Sequence, residues 1–235
     1  MFPLVHIYCT KRIVGDASPL LLFGSIFPDI EATGVFSYGT INDNVVGFSN
    51  FIKDNHPDLR DFAEGLLFHE EPKGVDRFVH GENGYAFVKG RIIVPFVERH
   101  FPKGALEKSH NYVELAVQVL LVEEHPEIQD ELQRVLESSR RVSSKIAEAL
   151  SGFFGVGLEK SRESIKIQDE LLSTMDFSSV EKAVDWYVGL SNRLRNANYS
   201  KDVITAILEK AVEAVQDDYE DFIEKVIAEC KISVR

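Results

Sequence analysis

The hydrophobic positions recur with the period of helices, and no stretch shows the strict alternation of a half-buried strand. The clearest case is residues 104–124, GALEKSHNYVELAVQVLLVEE, where His110, Glu114, Val117 and Leu121 share one stripe (i, i+4, i+7, i+11). Residues 201–229 read as one final helix, with a broad apolar stripe through Ile204, Leu208, Ala211, Val215, Tyr219, Phe222 and Val226. Residues 126–150 are amphipathic and heavily charged, and the glycine-flanked aromatics of SGFFGVG interrupt them. Further helices are expected over about 157–174 and from Ser178 to about Arg195. The latter opens on a Ser178–Ser179–Val180–Glu181 capping box and carries Trp186.

The first third is less regular. Residues 2–14 fit a short apolar helix or a buried strand. Asp16 is the expected cap of SPLLLFGSIF, which stops at Pro28–Asp29–Ile30. Glu31 to Asn44 reads as an irregular loop in which Phe36 and Tyr38 line a pocket or pack the loop down. Residues 45–55 look helical and end at His56–Pro57. A helix capped by Asp58 then places Phe62, Leu66 and His69 on one inward stripe. A turn at Pro72–Lys73–Gly74 leads to a second helical start, and RIIVPFVERHF is expected to break at Pro95. The expected fold is all-α, a multi-helix bundle forming a single helical domain over 1–235. Residues 1–125 would carry the chemistry, and 126–235 would serve as helical scaffold or dimerisation part.

Thirty-eight acids against twenty-six bases leave a net charge of −12, which repels phosphate backbones and argues against nucleic acid as a partner. Cys9 and Cys230 form no CxxC pair and fit a reducing compartment. MFPLVHIYCTKR is a poor signal peptide, and no run reaches the roughly 18 apolar residues of a membrane span. A soluble, cytoplasmic protein without stable membrane anchoring is expected, with a homodimer open.

Against this background eight residues in the first 114 attract notice: His6, Asp29, His56, His69, Asp76, His80, His110 and Glu114. A lone histidine on an apolar face is most simply a hydrogen-bonded core residue. Two i,i+4 pairs, Asp76/His80 and His110/Glu114, together with His69 and Asp29 are a different matter. A glutamate on an inward stripe costs several kcal/mol unless partnered, and a divalent ion held with His110 satisfies it. Mixed His/carboxylate ligation without cysteine suits Zn, Mn, Fe or Ni and an open, catalytic site. Six to eight ligands exceed one tetrahedral ion and imply two or more metals.

The order FGSIFPDI, then FAEGLLFH followed by an Asp and a His, then HNYVE, resembles the bacterial zinc-dependent phospholipase C family over about residues 1–122. The resemblance implies an all-α fold of that type, with an extra C-terminal helical part, and three zinc ions. It assigns His6 and Asp29 as the first ligands, His69, Asp76 and His80 as the central cluster, and His110 with Glu114 as the closing pair. Asp29, His69 and Asp76 would share one metal, and His80, His110, Glu114 and a bridging Asp another. His56 is the residue available for a further family histidine. The family's secreted members also ligate with a processed N-terminal amine, which nothing here predicts. Two divalent ions, zinc first, are therefore the expectation over three.

The implied activity is hydrolysis of a small phosphate ester, phosphodiester or phosphomonoester, by a metal-bridging hydroxide. Asp29 or Asp76 would orient the nucleophile, and His56 or Arg77 would contact metal, substrate or leaving group. Two alternatives stand beside it. One is a non-catalytic helical protein with a structural metal site. The other is an HD-type phosphohydrolase, which needs a His-Asp dipeptide that this chain lacks.

Overall fold

The structure is a computed structural model that describes residues 3–37, 39–69, 74–195 and 198–234. All regular structure among them is helical. In chain order the α-helices are α1 (Pro3–Val14), α2 (Pro19–Ile26), α3 (Val45–Asn55), α4 (Arg60–Leu66), α5 (Asp76–Val79) and α6 (Tyr85–Val97). They continue with α7 (Ala105–Glu124), α8 (Glu127–Phe154), α9 (Leu158–Ser173), α10 (Val180–Arg195), α11 (Lys201–Val215) and α12 (Tyr219–Val234). Short 3-10 turns cover Phe27–Thr33, Asn42–Asn44 and Pro57–Leu59. The all-α expectation holds. Among the described residues no helix is long and apolar enough to cross a membrane.

One hydrophobic cluster runs from Leu4 in α1 to Cys230 in α12, so both halves of the chain fill the same core. The long helix α7 is its axis. Val113, Ala116, Val117 and Leu121 are buried on it, and α6 and α11 pack along its sides. α1 lies against α2 and α12, and α9 packs on α8 and on the turn Phe27–Thr33. Cys9 and Cys230 are both buried in that core, and the Cys230 thiol donates to the Gly74 carbonyl at 3.7 Å.

Several boundaries differ from the sequence expectation, each for a local reason. The undecided segment 2–14 is helix α1. Ser18, not Asp16, caps α2: its Oγ accepts from the Leu21 N–H at 3.2 Å and Pro19 opens the helix. Asp58 does not cap α4 but pairs with Lys145 from α8. Pro95 does not break α6, because it stands in the last turn where only one helical hydrogen bond is lost. α8 continues through Phe153 and Phe154, whose rings pack on Phe48 at 5.4 and 5.1 Å. It stops at Gly155, whose φ of 66° is the left-handed conformation that ends helices. Ser179, not Ser178, caps α10. The final helix is two, because Asp218 in the joint accepts from Tyr85 Oη at 2.7 Å and from Lys89 Nζ at 2.5 Å, pinning a turn to α6.

α2 and α4 cross at a pair of glycines. A Cβ on Gly24 would stand 2.3 Å from the Phe62 carbonyl oxygen, and one on Gly65 would stand 2.1 Å from that of Leu21. The two backbones touch, so the end of α4 is delivered directly against the end of α2. Gly65→Ala forces them apart and should cost about 2–3 kcal/mol, lowering Tm by roughly 5–10 °C. The control is Gly157→Ala, where an added Cβ meets nothing within 4 Å. Thermal denaturation of both variants checks this, and equal Tm values would contradict the close crossing.

Candidate metal centre

The chain beyond α4 turns back on itself before α5. The Val75 N–H donates to the Phe68 carbonyl at 3.2 Å and the Asp76 N–H to the His69 carbonyl at 3.0 Å. These two bonds close the excursion and bring His69 beside Asp76 although six residues lie between them. His69 is therefore not on the α4 stripe, but it is fully buried in the turn after it. The Pro72–Lys73 turn and Tyr38 lie outside the described residues.

His69 is oriented by the glycine crossing. Its Nδ1–H donates to the Ser25 carbonyl at the end of α2 (2.8 Å), which leaves Nε2 as the nitrogen that is bare in the neutral ring and that takes up a proton or an ion. That Nε2 is buried without a hydrogen-bond partner, 3.4 Å from Asp76 Oδ2 and 4.0 Å from Asp29 Oδ1. His6 from α1 stacks on His69 with ring centroids 4.3 Å apart, and its Nε2 meets Asp76 Oδ1 at 2.9 Å. His80, at the end of α5, brings its Nε2 to 3.5 Å from Asp76 Oδ2 and 3.5 Å from Glu114 Oε1. His110 Nε2 lies 3.9 Å from the same glutamate oxygen. Its ring stacks on Phe87 of α6 at 4.5 Å.

All seven ligand candidates of the sequence thus lie together, drawn from α1, the turn Phe27–Thr33, the α4–α5 turn, α5 and α7. Six of them form two groups able to hold an ion, His6/His69/Asp76 and His80/His110/Glu114, with Asp76 touching both and Asp29 beside the first. The other two candidates stand elsewhere. His56 ends α3 with its ring near Phe51 (6.1 Å), and Arg77 lies over the Phe78 ring at 4.5 Å, lining a surface groove behind His80.

The electrostatics show what the first group demands. Burial pushes His69 toward the neutral form, yet the charges of Asp76 and Asp29 and hydrogen bonding outweigh it and raise its pKa to about 9. Burial and the neighbouring His69 charge lower His6, against the pull of Asp76. Burial pushes Asp76 up, but His69 and His6 together hold it well below the usual carboxylate range. In the second group burial lowers His110 against the pull of Glu114. Buried carboxylates facing an unprotonated ring nitrogen require a cation between them, either a proton or a metal.

The donor set could hold a metal, and part of it already has the spacing of ligands around one ion. Ligand atoms 2.0–2.2 Å from one tetrahedral ion stand about 3.3–3.6 Å apart, which is the range of the His69–Asp76, His80–Asp76 and His80–Glu114 separations. The hydrogen bond from His69 Nδ1 to a backbone carbonyl is the outer-shell contact that metal-ligating histidines make.

Sequence reasoning missed the residues that hold these ligands. Gln118, one turn beyond Glu114 on α7, accepts the Leu4 N–H at 3.1 Å and so fixes the start of the helix bearing His6. Gln168 of α9 donates to the Phe27 carbonyl at 3.2 Å, supporting the turn that carries Asp29. Glu31 is not a loop residue. It is buried, and its carboxylate accepts from the N–H groups of Gly39 (2.8 Å), Ile41 and Asn42 (3.1 Å) and from Asn42 Nδ2 (3.1 Å). The signal was available for Gln118, which continues the inward stripe, but not for a glutamate whose partners are backbone groups.

A cavity of about 580 Å³ opens onto the ligands. Asp29, Asp76, His80, His110 and Glu114 form its floor, Glu31, Asn42, Glu107 and Asn111 its polar side, and Phe87, Trp186, Tyr187, Leu190 and Leu194 an apolar wall. The region assigned to scaffold or dimerisation therefore supplies, through α10, one face of the site. No family model, no curated protein and no solved structure matches this chain.

These contacts set two measurable responses. Glu31→Ala should free the 39–42 backbone, speeding amide exchange at Gly39, Ile41 and Asn42 and costing about 2–4 kcal/mol in urea denaturation. In metal-free protein, His69 with its raised pKa stabilises the fold fully below its unfolded value of about 6.5, and that contribution is lost as pH rises through about 9. His6, with a lowered pKa, and Asp76 work in the other direction, losing stability as pH falls. With chelator present, Tm should peak near the unfolded histidine value and decline on both sides. Zinc should flatten the alkaline decline, because it replaces the proton. A Tm that rises steadily to pH 9 without metal would refute the assignment.

Proposed function

We propose that this chain is a metal-dependent hydrolase of phosphate esters, carrying two divalent ions, zinc first, in an arrangement of the phospholipase C type. The observation that carries the reading is Asp76: one largely buried carboxylate set between His6 and His69 on one side and His80 on the other, at the floor of an open cavity. His6, Asp29 and His69 would hold one ion, His80, His110 and Glu114 the other, with Asp76 shared. A pair of such ions supplies Lewis acidity toward phosphate oxygens and makes water a usable nucleophile at neutral pH.

The chain's own residues do the rest. Among the described residues no lysine or arginine lines the cavity, so its side chains offer the phosphate no permanent positive charge of their own. Asp29 Oδ2 is buried without a hydrogen-bond partner and is the atom placed to take the proton of the attacking water. The bond from phosphorus to the ester oxygen then breaks, that oxygen takes back the proton held by Asp29, and the alcohol would depart along the apolar wall. A structural ion is the weaker reading, because closed structural sites do not sit at the bottom of a ligand-sized cavity.

The test couples metal analysis with turnover. Protein purified without chelator should hold about two ions per chain and hydrolyse p-nitrophenyl phosphate or bis(p-nitrophenyl) phosphate. Asp76→Asn should bring the ion content below one. Asp29→Asn should lower kcat by about 10²–10⁴-fold and weaken the ion that Asp29 helps to hold, while the ion of His80, His110 and Glu114 is retained. Fewer than one ion per chain in the wild type would overturn the reading.

A further inference from the structure

The cavity has a chemical bias beyond its floor. Its polar side carries the carboxylates of Glu31 and Glu107, and no lysine or arginine is among its described lining residues. A second anionic group on a ligand would face carboxylates and find no cation. The α10 side of the cavity is largely apolar, with Ser191 its one polar side chain besides Tyr187, and it is held in place. Trp186 is fixed by its Nε1–H, which donates to the Leu171 carbonyl at 3.0 Å, and by the edge of Phe177 at 5.4 Å. Tyr187 packs against Tyr112 at 5.4 Å. Leu190 and Leu194, one and two turns further along α10, are half-buried and complete the wall. A wall fixed in advance gives apolar contact at little ordering cost. The volume of about 580 Å³ fits one small molecule and cannot enclose a two-chain lipid.

We infer that the site takes a compact phosphate monoester whose alcohol part is uncharged and apolar, and that Trp186, Leu190 and Leu194 of α10 select it. The inference rests on the proposed phosphate-ester reading. It adds the side of the substrate that the metal ligands do not touch, and it gives α10 a specificity role. Diphosphates, phosphorylated acids and nucleic acid strands are disfavoured by the acidic side, and diacyl lipids by size.

The test uses the full chain loaded with zinc and non-hydrolysable ligands, so that binding is read without turnover. Phenylphosphonate, phosphonoacetate, aminoethylphosphonate and inorganic phosphate are compared by calorimetry. Trp186 is the only tryptophan of the chain, so its emission reports occupancy of the wall. Phenylphosphonate should bind about tenfold or more tightly than phosphate and shift the tryptophan emission, and phosphonoacetate should bind more weakly than phosphate. Leu190→Lys, with Leu194→Lys as a second variant should the first lose helical content, should erase the phenyl advantage and favour phosphonoacetate.

The outcomes separate the two readings. If phosphate binds and phenylphosphonate gains nothing over it, or phosphonoacetate or aminoethylphosphonate binds best, the inference fails and the phosphate-ester reading stands. An unchanged phenyl preference in both folded lysine variants would also overturn the assignment to α10. If none of the four ligands binds the zinc-loaded chain, the phosphate-ester reading fails and takes the inference with it.

Discussion

The arrangement of the first half depends on one buried carboxylate. Asp76 is surrounded by His6, His69 and His80, and removing such a charge from water costs several kcal/mol unless each lone pair is met. Each of the three imidazoles arrives by a separate structural device. α1 is pinned by Gln118, the α4–α5 turn is closed by two backbone hydrogen bonds, and α5 is a single turn ending at His80. The glycine crossing of α2 and α4 sets the Ser25 carbonyl against His69 and chooses its tautomer. A small shift in any of these would leave a buried charge exposed to nothing. Hence packing density here is bound to electrostatics, and steric changes at Gly24 or Gly65 reach the ligands without touching them.

The second half is not an appendage to that arrangement. α9 holds the turn bearing Asp29 through Gln168, and Ser164 reaches Thr33 at 2.9 Å. α11 packs along α7 behind His110 and Glu114, and α12 covers α1 behind His6. α10 then crosses the open side. The candidate ligands are thus offered by one half of the sequence and held in register by the other. A division of 1–125 as metal core and 126–235 as scaffold describes the source of the ligands but not the source of their geometry.

Much of this is legible in the chain. Helical period identifies α7, α9 and α10 closely, and charged residues in apolar settings mark all seven residues that converge. The misses share a cause. Ser18, Ser179 and the joint at Asp218 depend on which of several competent residues finds a partner, and partners such as Asp61, Tyr85 and Lys89 are distant in sequence. Glu31 bonds backbone amides and carries no side-chain pattern. The six-residue gap between His69 and Asp76 is too long for two ligands on one helix face. The backbone pairing of residues 68–69 with 75–76 removes that gap from the geometry.

The charge balance ties the site to the whole molecule. The chain carries a net charge of −12, and the cavity adds its own carboxylates with no lysine or arginine among its described lining residues. Without metal, the raised pKa of His69 keeps a proton beneath the floor, facing Asp76 and Asp29, and a phosphate dianion in the cavity meets carboxylates of like sign. On the proposed reading, two divalent ions reverse that local sign while leaving the surrounding surface acidic. Phosphate attraction then becomes short-ranged and confined to the floor, instead of being spread over a basic surface. Order of binding comes from the same electrostatics: ions first, ester second. Long anionic ligands, which would lay additional phosphates along the acidic rim, gain nothing from the ions they cannot reach. On that reading an acidic protein handles a phosphate ester and still rejects nucleic acid, because the cavity lends phosphate positive charge at its floor and nowhere along its described side.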